Sequence, residues 1–525
     1  MLFGPMREEV NEIADSKISV HDRHRFEIKL DIELADHDAS GYRVDTYFFV
    51  PRALNVNPNT YSKDLFYSSI QRYIRFKTPQ FSLLKIIEPS NDASPLVRIG
   101  KELRRVLAGD QDRESVEAIF CETKLLGAVS RGAIRDAVKE LLGGLAGDQP
   151  GDSTTTPAQG FITSTEAFLD DLDAYLAAVR NLRQEMLDIT VPLRLREGFL
   201  FFDEFISLTI QDYLSTLLHA VRERFDPTGS CAHVDAAMAA IIIGQQSHRK
   251  SMGYPSVLST TGTDSTLLYR RGVLKKFISN VLFLNTEVSE WEGISQIPLA
   301  MAAGFAMLFA VGITVFAQNR YTTNSIPFVA AVVVGYVFKD RLKDWLKLYL
   351  SRGLVRWTAD RKIRIRDPYS GRVIGKLKEA FSFTDESRLP ETVLYCRQMD
   401  NITSIDEEGK PERIIKYEKE VSLFPARISR FHERRRDLND IMRLNIDDFL
   451  RQADDATVDY LNLDPDSGQL QQVQCQRVYH VNIVFTYRSI DAKRQTAERV
   501  ERIRLVLNRD GIVRLDQVAP AHSLG

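Results

Sequence analysis

A chain of 525 residues exceeds what one ordinary hydrophobic core supports, so two or three domains are expected. Hydrophobic residues make up 44% and charged residues 27%, the balance of a folded globular protein, which confines any membrane-embedded part to a small fraction of the chain. A net charge of −2 excludes a global electrostatic pull toward nucleic acid.

The opening Met-Leu-Phe-Gly-Pro-Met-Arg-Glu-Glu has no basic segment followed by an apolar run. It predicts no cleaved secretory signal and a chain that starts on the cytosolic side. Residues 24–34, HRFEIKLDIEL, alternate apolar and polar, and residues 42–50, YRVDTYFFV, do so less strictly. With the turn-rich ADHDASG between them they predict a β-hairpin within an N-terminal segment, 1–60.

A helical domain is expected over 61–292, as a bundle. Its elements read as helices at 114–144, 164–189, 199–225, 232–247 and 265–286. Residues 145–160, LAGDQPGDSTTTPAQG, offer little to bury and predict a mobile loop.

Residues 293–319 contain no charged side chain, and about 20 residues in a helix cover the roughly 30 Å hydrocarbon core of a bilayer. A transmembrane hairpin is therefore expected over 293–338, with spans at about 297–317 and 322–338. The second stretch is short, and Pro327 sits in its first turn, where proline is tolerated. Ala306 with Ala310, and Ala331 with Gly335, are pairs of small residues four apart that let helices approach closely. Residues 339–366 hold ten Lys/Arg against three Asp, whereas the turn between the spans holds only Arg320. Positive flanks stay inside, so both termini are expected in the cytoplasm, with the anchor in a bacterial inner membrane.

Residues 339–357 read as a basic amphipathic juxtamembrane helix. Leu342, Trp345, Leu346, Tyr349 and Leu350 share one face, flanked by Arg341, Lys343 and Lys347. Arg341, Lys343, Trp345, Lys347 and Tyr349 are the candidate membrane-interface residues, with anionic lipid as the partner. The remaining 358–525 read as a cytosolic α+β domain with an antiparallel sheet. It opens on a hairpin at 361–377, continues through a helix at 427–453, and ends on strands at VYHVNIVFTYR, RVERIRLVLNRD and GIVRLDQV. The fold class is thus an α+β membrane protein: mostly helical N-terminal region, two-helix anchor, C-terminal α+β domain. The pattern permits the strands at the two ends of the chain to share a sheet.

No catalytic signature emerges. His21 and His24, with Asp22 between them and His37 nearby, are the only clustered histidines, and residues three apart on a strand face opposite sides, so no metal is expected. Cys121, Cys231, Cys396 and Cys475 lie far apart without a CxxC pair and read as buried reduced thiols. Gly371 to Lys376 has three residues between its glycines and Leu377 after the lysine, which departs from a phosphate loop. Ser259 to Ser265 reads as helix-capping, although Arg249, Lys250, Arg270 and Arg271 nearby leave an anion site open. The basic run Arg427, Arg430 and Arg434 to Arg436 is diluted by Glu433 and Asp437 and reads as a solvated face, without nucleic acid as partner. No cofactor is implied.

Three functions fit this reading. The first is a membrane-anchored scaffold or regulator without catalysis, recruiting a protein partner and compatible with a homo-oligomer. The others are a membrane-surface enzyme whose site assembles only in three dimensions, and a subunit of an oligomeric channel or transport complex.

Overall fold

The computed structural model describes residues 14–32, 40–109, 112–146, 157–225, 231–258, 265–289, 292–322, 325–355, 359–368, 371–399, 411–431, 437–491 and 498–518. They fall into two compact units: one contains 14–74, 284–431 and 437–518, the other 75–283.

The first unit is built on strands: β1 (Ala14–Asp22), β2 (Arg25–Ile32), β3 (Ser40–Pro51), β4 (Ile70–Phe76), β5 (Asn285–Ser289), β6 (Arg361–Arg366), β7 (Val373–Thr384), β8 (Glu412–Leu423), β9 (Leu438–Asn445), β10 (Thr457–Leu463), β11 (Leu470–Gln476), β12 (Tyr479–Asp491), β13 (Arg499–Asn508) and β14 (Gly511–Val518). Eight form a sheet in the order β14-β13-β12-β3-β8-β7-β6-β5, and four form a second in the order β1-β2-β9-β4. Alternation explains the assignment. In β2, Phe26, Ile28, Leu30 and Ile32 are buried and the residues between them are partly exposed. The core is aromatic: the Phe66 and Phe381 rings lie 4.4 Å apart and those of Tyr61 and Phe449 5.2 Å apart. Gly375 lets β7 approach β8, since a Cβ there would lie 2.9 Å from the Ser422 carbonyl oxygen.

Two expectations are corrected here. The N-terminal hairpin is β1 with β2, turning at Arg23–His24, not residues 24–34 with 42–50. Asp22 accepts a hydrogen bond from the His24 N–H at 2.9 Å, a tight local turn. β3 instead pairs antiparallel with β12 on one side and β8 on the other, so the two ends of the chain share a sheet. The helix expected at 427–453 is a short helix, Pro425–Phe431, then β9, then a four-residue helix, Asp447–Leu450. Pairing with β2 gives Leu438 to Asn445 a complete ladder partner, which outweighs their helical spacing. The hairpin at 361–377 corresponds to β6 with β7, and the three terminal strands to β12, β13 and β14. At the β13–β14 turn Gly511 has φ +128°, and a Cβ there would overlap the Arg23 carbonyl oxygen.

The helices, in chain order, are α1 (Lys63–Ser69), α2 (Leu83–Ile87), α3 (Pro95–Leu107), α4 (Arg113–Ala146), α5 (Pro157–Met186), α6 (Leu193–Arg224), α7 (Ala232–Ser251), α8 (Ser265–Ser279), α9 (Glu292–Arg320), α10 (Ile326–Val355) and α11 (Glu391–Gln398). In the second unit α6 is central, with Phe199, Phe202, Ile206, Ile210, Leu214 and Leu217 buried. It packs on α4, α7 and α8. Gly198 admits the Phe120 ring, which a Cβ would meet at 2.7 Å. Of the loop expected at 145–160, residues 147–156 lie outside the described residues; helix covers the positions on either side.

In the first unit α9 and α10 pack against each other as a helical pair. Ala302, Ala306 and Ala317 are buried, and a Cβ on Gly335 would lie 2.8 Å from Ile313 Cγ2, which marks a close approach of the two helices. Among the described residues α9 is the one helix long and apolar enough to cross a membrane. The charge-free part of α10, Ile326–Phe338, has 13 residues, about 20 Å at 1.5 Å per residue. Of the two expected spans, α9 alone passes on length and composition among the described residues. α10 also runs unbroken through the segment read as a separate juxtamembrane helix.

Candidate functional site

The surface of the α9–α10 pair follows from its sequence. α9 turns Ala302, Ala306 and Ala317 inward, and its large side chains face outward. Phe305, Leu308, Val311 and Phe316 on α9, and Val334 and Phe338 on α10, are all more than half exposed. Within Ala300–Arg320 only Ala302, Ala306 and Ala317 are buried. Soluble proteins rarely leave a contiguous apolar surface of this extent uncovered. Beyond Phe338 the surface becomes basic. Arg341, Lys343 and Lys347 are exposed, and Trp345 is 73% exposed. Leu342 and Leu346 are half-buried, so the stripe expected to face lipid as one surface is divided: these two leucines turn inward and Trp345 outward. The Tyr349 side chain lies outside the described residues. The Lys339 ammonium sits 3.8 Å from the centroid of the Tyr336 ring.

The other residues read from the sequence do not converge. His24 Nδ1 is 2.6 Å from an Asp447 oxygen, while His21 Nδ1 is 4.0 Å from Glu27, and His37 lies outside the described residues. No three His, Cys, Asp or Glu side chains among the described residues gather closely enough to hold a metal ion. Ser259 to Asp264 lie outside the described residues. Gly371 serves the β6–β7 turn with φ +63°. Arg427 donates to the Val373 carbonyl at 2.9 Å, and Arg434 to Arg436 lie outside the described residues. Cys121, Cys231 and Cys396 are buried, but Cys475 is exposed on β11, which corrects the expectation of four buried thiols.

Comparison with known protein families, curated proteins and solved structures finds no match for this chain. Its chemistry is read from its own geometry.

That geometry adds two polar assemblies the sequence reading did not isolate. In the second unit, Asp203 accepts from the Tyr254 hydroxyl at 2.7 Å and lies 2.8 Å from His248 Nε2. The other ring nitrogen of His248 is 3.5 Å from Arg183 Nη1. Both imidazole nitrogens therefore face charged groups. Beside this pair, Arg270 Nη2 donates to Glu204 at 2.7 Å and Arg249 donates to the Ser207 hydroxyl at 2.8 Å. Burial pushes the Asp212 carboxyl up despite Arg271 next to it, and burial pushes the Arg249 guanidinium down.

In the first unit, Lys419 Nζ donates to Asp440 at 2.6 Å and the Tyr42 hydroxyl donates to the same carboxylate at 2.5 Å, all three side chains buried. A local sequence signal existed for each assembly. Asp203 and Glu204 interrupt the apolar run FLFFDEFISL, and Lys419 occupies the inward parity of β8 between Tyr417 and Val421.

Proposed function

We propose that this protein is a membrane-anchored scaffold, held by the α9–α10 pair, that presents its two folded units at the cytoplasmic surface. The observation that carries this reading is the exposure of α9. A soluble core helix of the same composition would be mostly covered, whereas only Ala302, Ala306 and Ala317 of Ala300–Arg320 are buried. Lipid is the solvent that accepts such a surface. α10 provides the return crossing: its apolar run falls short by about 10 Å, a mismatch that snorkelling of Lys339 and local thinning of the bilayer accommodate. The basic Arg341, Lys343 and Lys347 then meet anionic headgroups, with Trp345 at the interface. A scaffold fits better than a catalyst, because the two polar assemblies, Asp203–His248–Tyr254 and Lys419–Asp440–Tyr42, close on their own members.

Alkaline carbonate extraction of native membranes tests the anchor. Wild-type protein should stay in the pellet. A chain carrying Leu308→Asp and Val311→Asp should be released, since each central charge costs about 2.5–3.5 kcal/mol on insertion scales. Full extraction of the wild type would overturn the reading.

A further inference from the structure

We propose that the β10–β11 ribbon joins two copies of this chain, the free edge of β11 pairing with the free edge of β11 in the second copy. The inference goes beyond the scaffold reading and does not rest on the membrane anchor. β10 and β11 form a sheet of two strands only, and every residue of both is exposed. Their register sets Val458 opposite Cys475 and Tyr460 opposite Val473, so these four side chains share one face. Tyr460 is 61% exposed, Leu470 67% and Val473 42%. A two-stranded ribbon uncovered on both faces is marginally stable in water, and further strands are what it lacks.

Charge selects both the strand and its partner. The three described sheets end on β1, β4, β5, β14, β10 and β11. Five of these edges carry charges, which discourage edge-to-edge pairing: Asp15 and Lys17 on β1, Arg72 and Arg75 on β4, Glu287 on β5, Arg514 and Asp516 on β14, and Asp459 on β10. β11, LQQVQCQ, has no charge and no proline, and its register with β10 runs without a bulge. Alternate residues of β11 turn their N–H and C=O groups away from β10, toward the open edge. Residues 457–476 hold Asp459, Asp464 and Asp466 and no Lys or Arg, which repels an anionic membrane or a nucleic acid. A second β11 brings no charge, so no like charges meet across the new ladder. Two-fold symmetry makes the pairing antiparallel and closes it at two copies. With all seven residues matched, Val473 lies opposite Val473 of the second copy and Gln471 opposite Cys475. The product is a four-stranded sheet in which the apolar face of one ribbon continues into that of the other. Seven paired residues per copy make a small interface of the weak, concentration-dependent class, so the dilute chain is a monomer.

The test uses the detergent-solubilised full chain. Cys475→Ser removes the exposed thiol and leaves Cys121, Cys231 and Cys396, all buried. In that background Val473→Cys should give a disulfide-linked dimer under mild oxidation, since directly opposed residues stand about 4.5–5.5 Å apart between Cα atoms, within disulfide reach. Tyr460→Cys should not, because the two β10 strands are three strand spacings apart, about 14 Å. Cys475 of the wild type should not link either, being displaced four residues from its copy, about 14 Å along the strands. Sedimentation should show the wild-type mass doubling as concentration rises, and replacing residues 457–476 by Gly-Gly should abolish the doubling. Val473→Lys and Val473→Asp should each be monomeric alone and should associate when mixed, because like charges oppose across the ladder and opposite charges attract. These variants change exposed side chains of the ribbon and leave the core untouched. A wild type that is monomeric at every concentration, or one that still doubles without the ribbon, overturns the proposal. So does a Val473→Cys chain that fails to link, or a Tyr460→Cys chain that links equally well. A wild-type link through Cys475 would mean that the ribbons stack by their faces, and it overturns the edge pairing.

Discussion

Replacing Lys419 by methionine should cost the first unit a large share of its stability. Lys419 stands on β8 and Tyr42 on β3, both in the eight-stranded sheet, while Asp440 stands on β9 in the four-stranded sheet. The three side chains therefore tie the two sheets together. Lys419 is 3% exposed and Asp440 1%, so neither charge has water to fall back on. Burial already holds the Lys419 ammonium below its usual value, with Asp440 opposing that shift, and burial together with Asp440 pushes the Tyr42 phenol well up. Lys419→Met keeps the length of the side chain and leaves the Asp440 carboxylate with Tyr42 as its remaining donor in the trio. Breaking a buried pair in this way costs about 3–5 kcal/mol, against a total of about 5–15 kcal/mol for a typical fold. At roughly 2–4 °C per kcal/mol the melting temperature should fall by about 10 °C. The assay is thermal denaturation of the detergent-solubilised chain, followed by circular dichroism. The combined variant Lys419→Met, Asp440→Leu, Tyr42→Phe should be less destabilised than Lys419→Met alone, because no stranded charge remains. A single-variant loss under about 1 kcal/mol, or a combined loss equal to the sum of the three singles, would refute the reasoning.

The ribbon of β10 and β11 should be removable. Every residue of both strands is exposed, and Arg477 N donates to the Ala456 carbonyl at 2.9 Å, so a Gly-Gly link between Ala456 and Arg477 closes the gap. The melting temperature should then shift by about 2 °C or less, as for surface changes generally; a larger fall would mean the ribbon supports the fold. In the second unit, Arg222 donates to Asp235 at 2.7 and 2.8 Å and holds its carboxyl below the ordinary 3.8. That contribution is present above 3.8 and lost as pH falls through the lowered folded value, so the melting difference between wild type and Asp235→Asn should shrink between about pH 6 and about pH 3. A difference that stays constant or grows on acidification would contradict the pairing.

What the sequence determined by itself was local. Charge-free length marked α9, the hairpin at 361–377 stands as β6 with β7, and strict alternation in residues 24–34 marked β2. Periodicity reports which face of an element is apolar, and that is fixed by the residues themselves. Which element covers that face is decided elsewhere in the chain. β3 lies next to β2 in sequence yet pairs with β8 and β12, about 370 and 440 residues away, because a strand apolar on both faces completes its ladder only in the middle of a large sheet. The segment after Pro425 has helical spacing but becomes β9 because β2 supplies it a partner. The buried Lys419–Asp440–Tyr42 trio depends on the same event: none of these residues is near another in sequence, and each would be an ordinary surface group until the two sheets close over it.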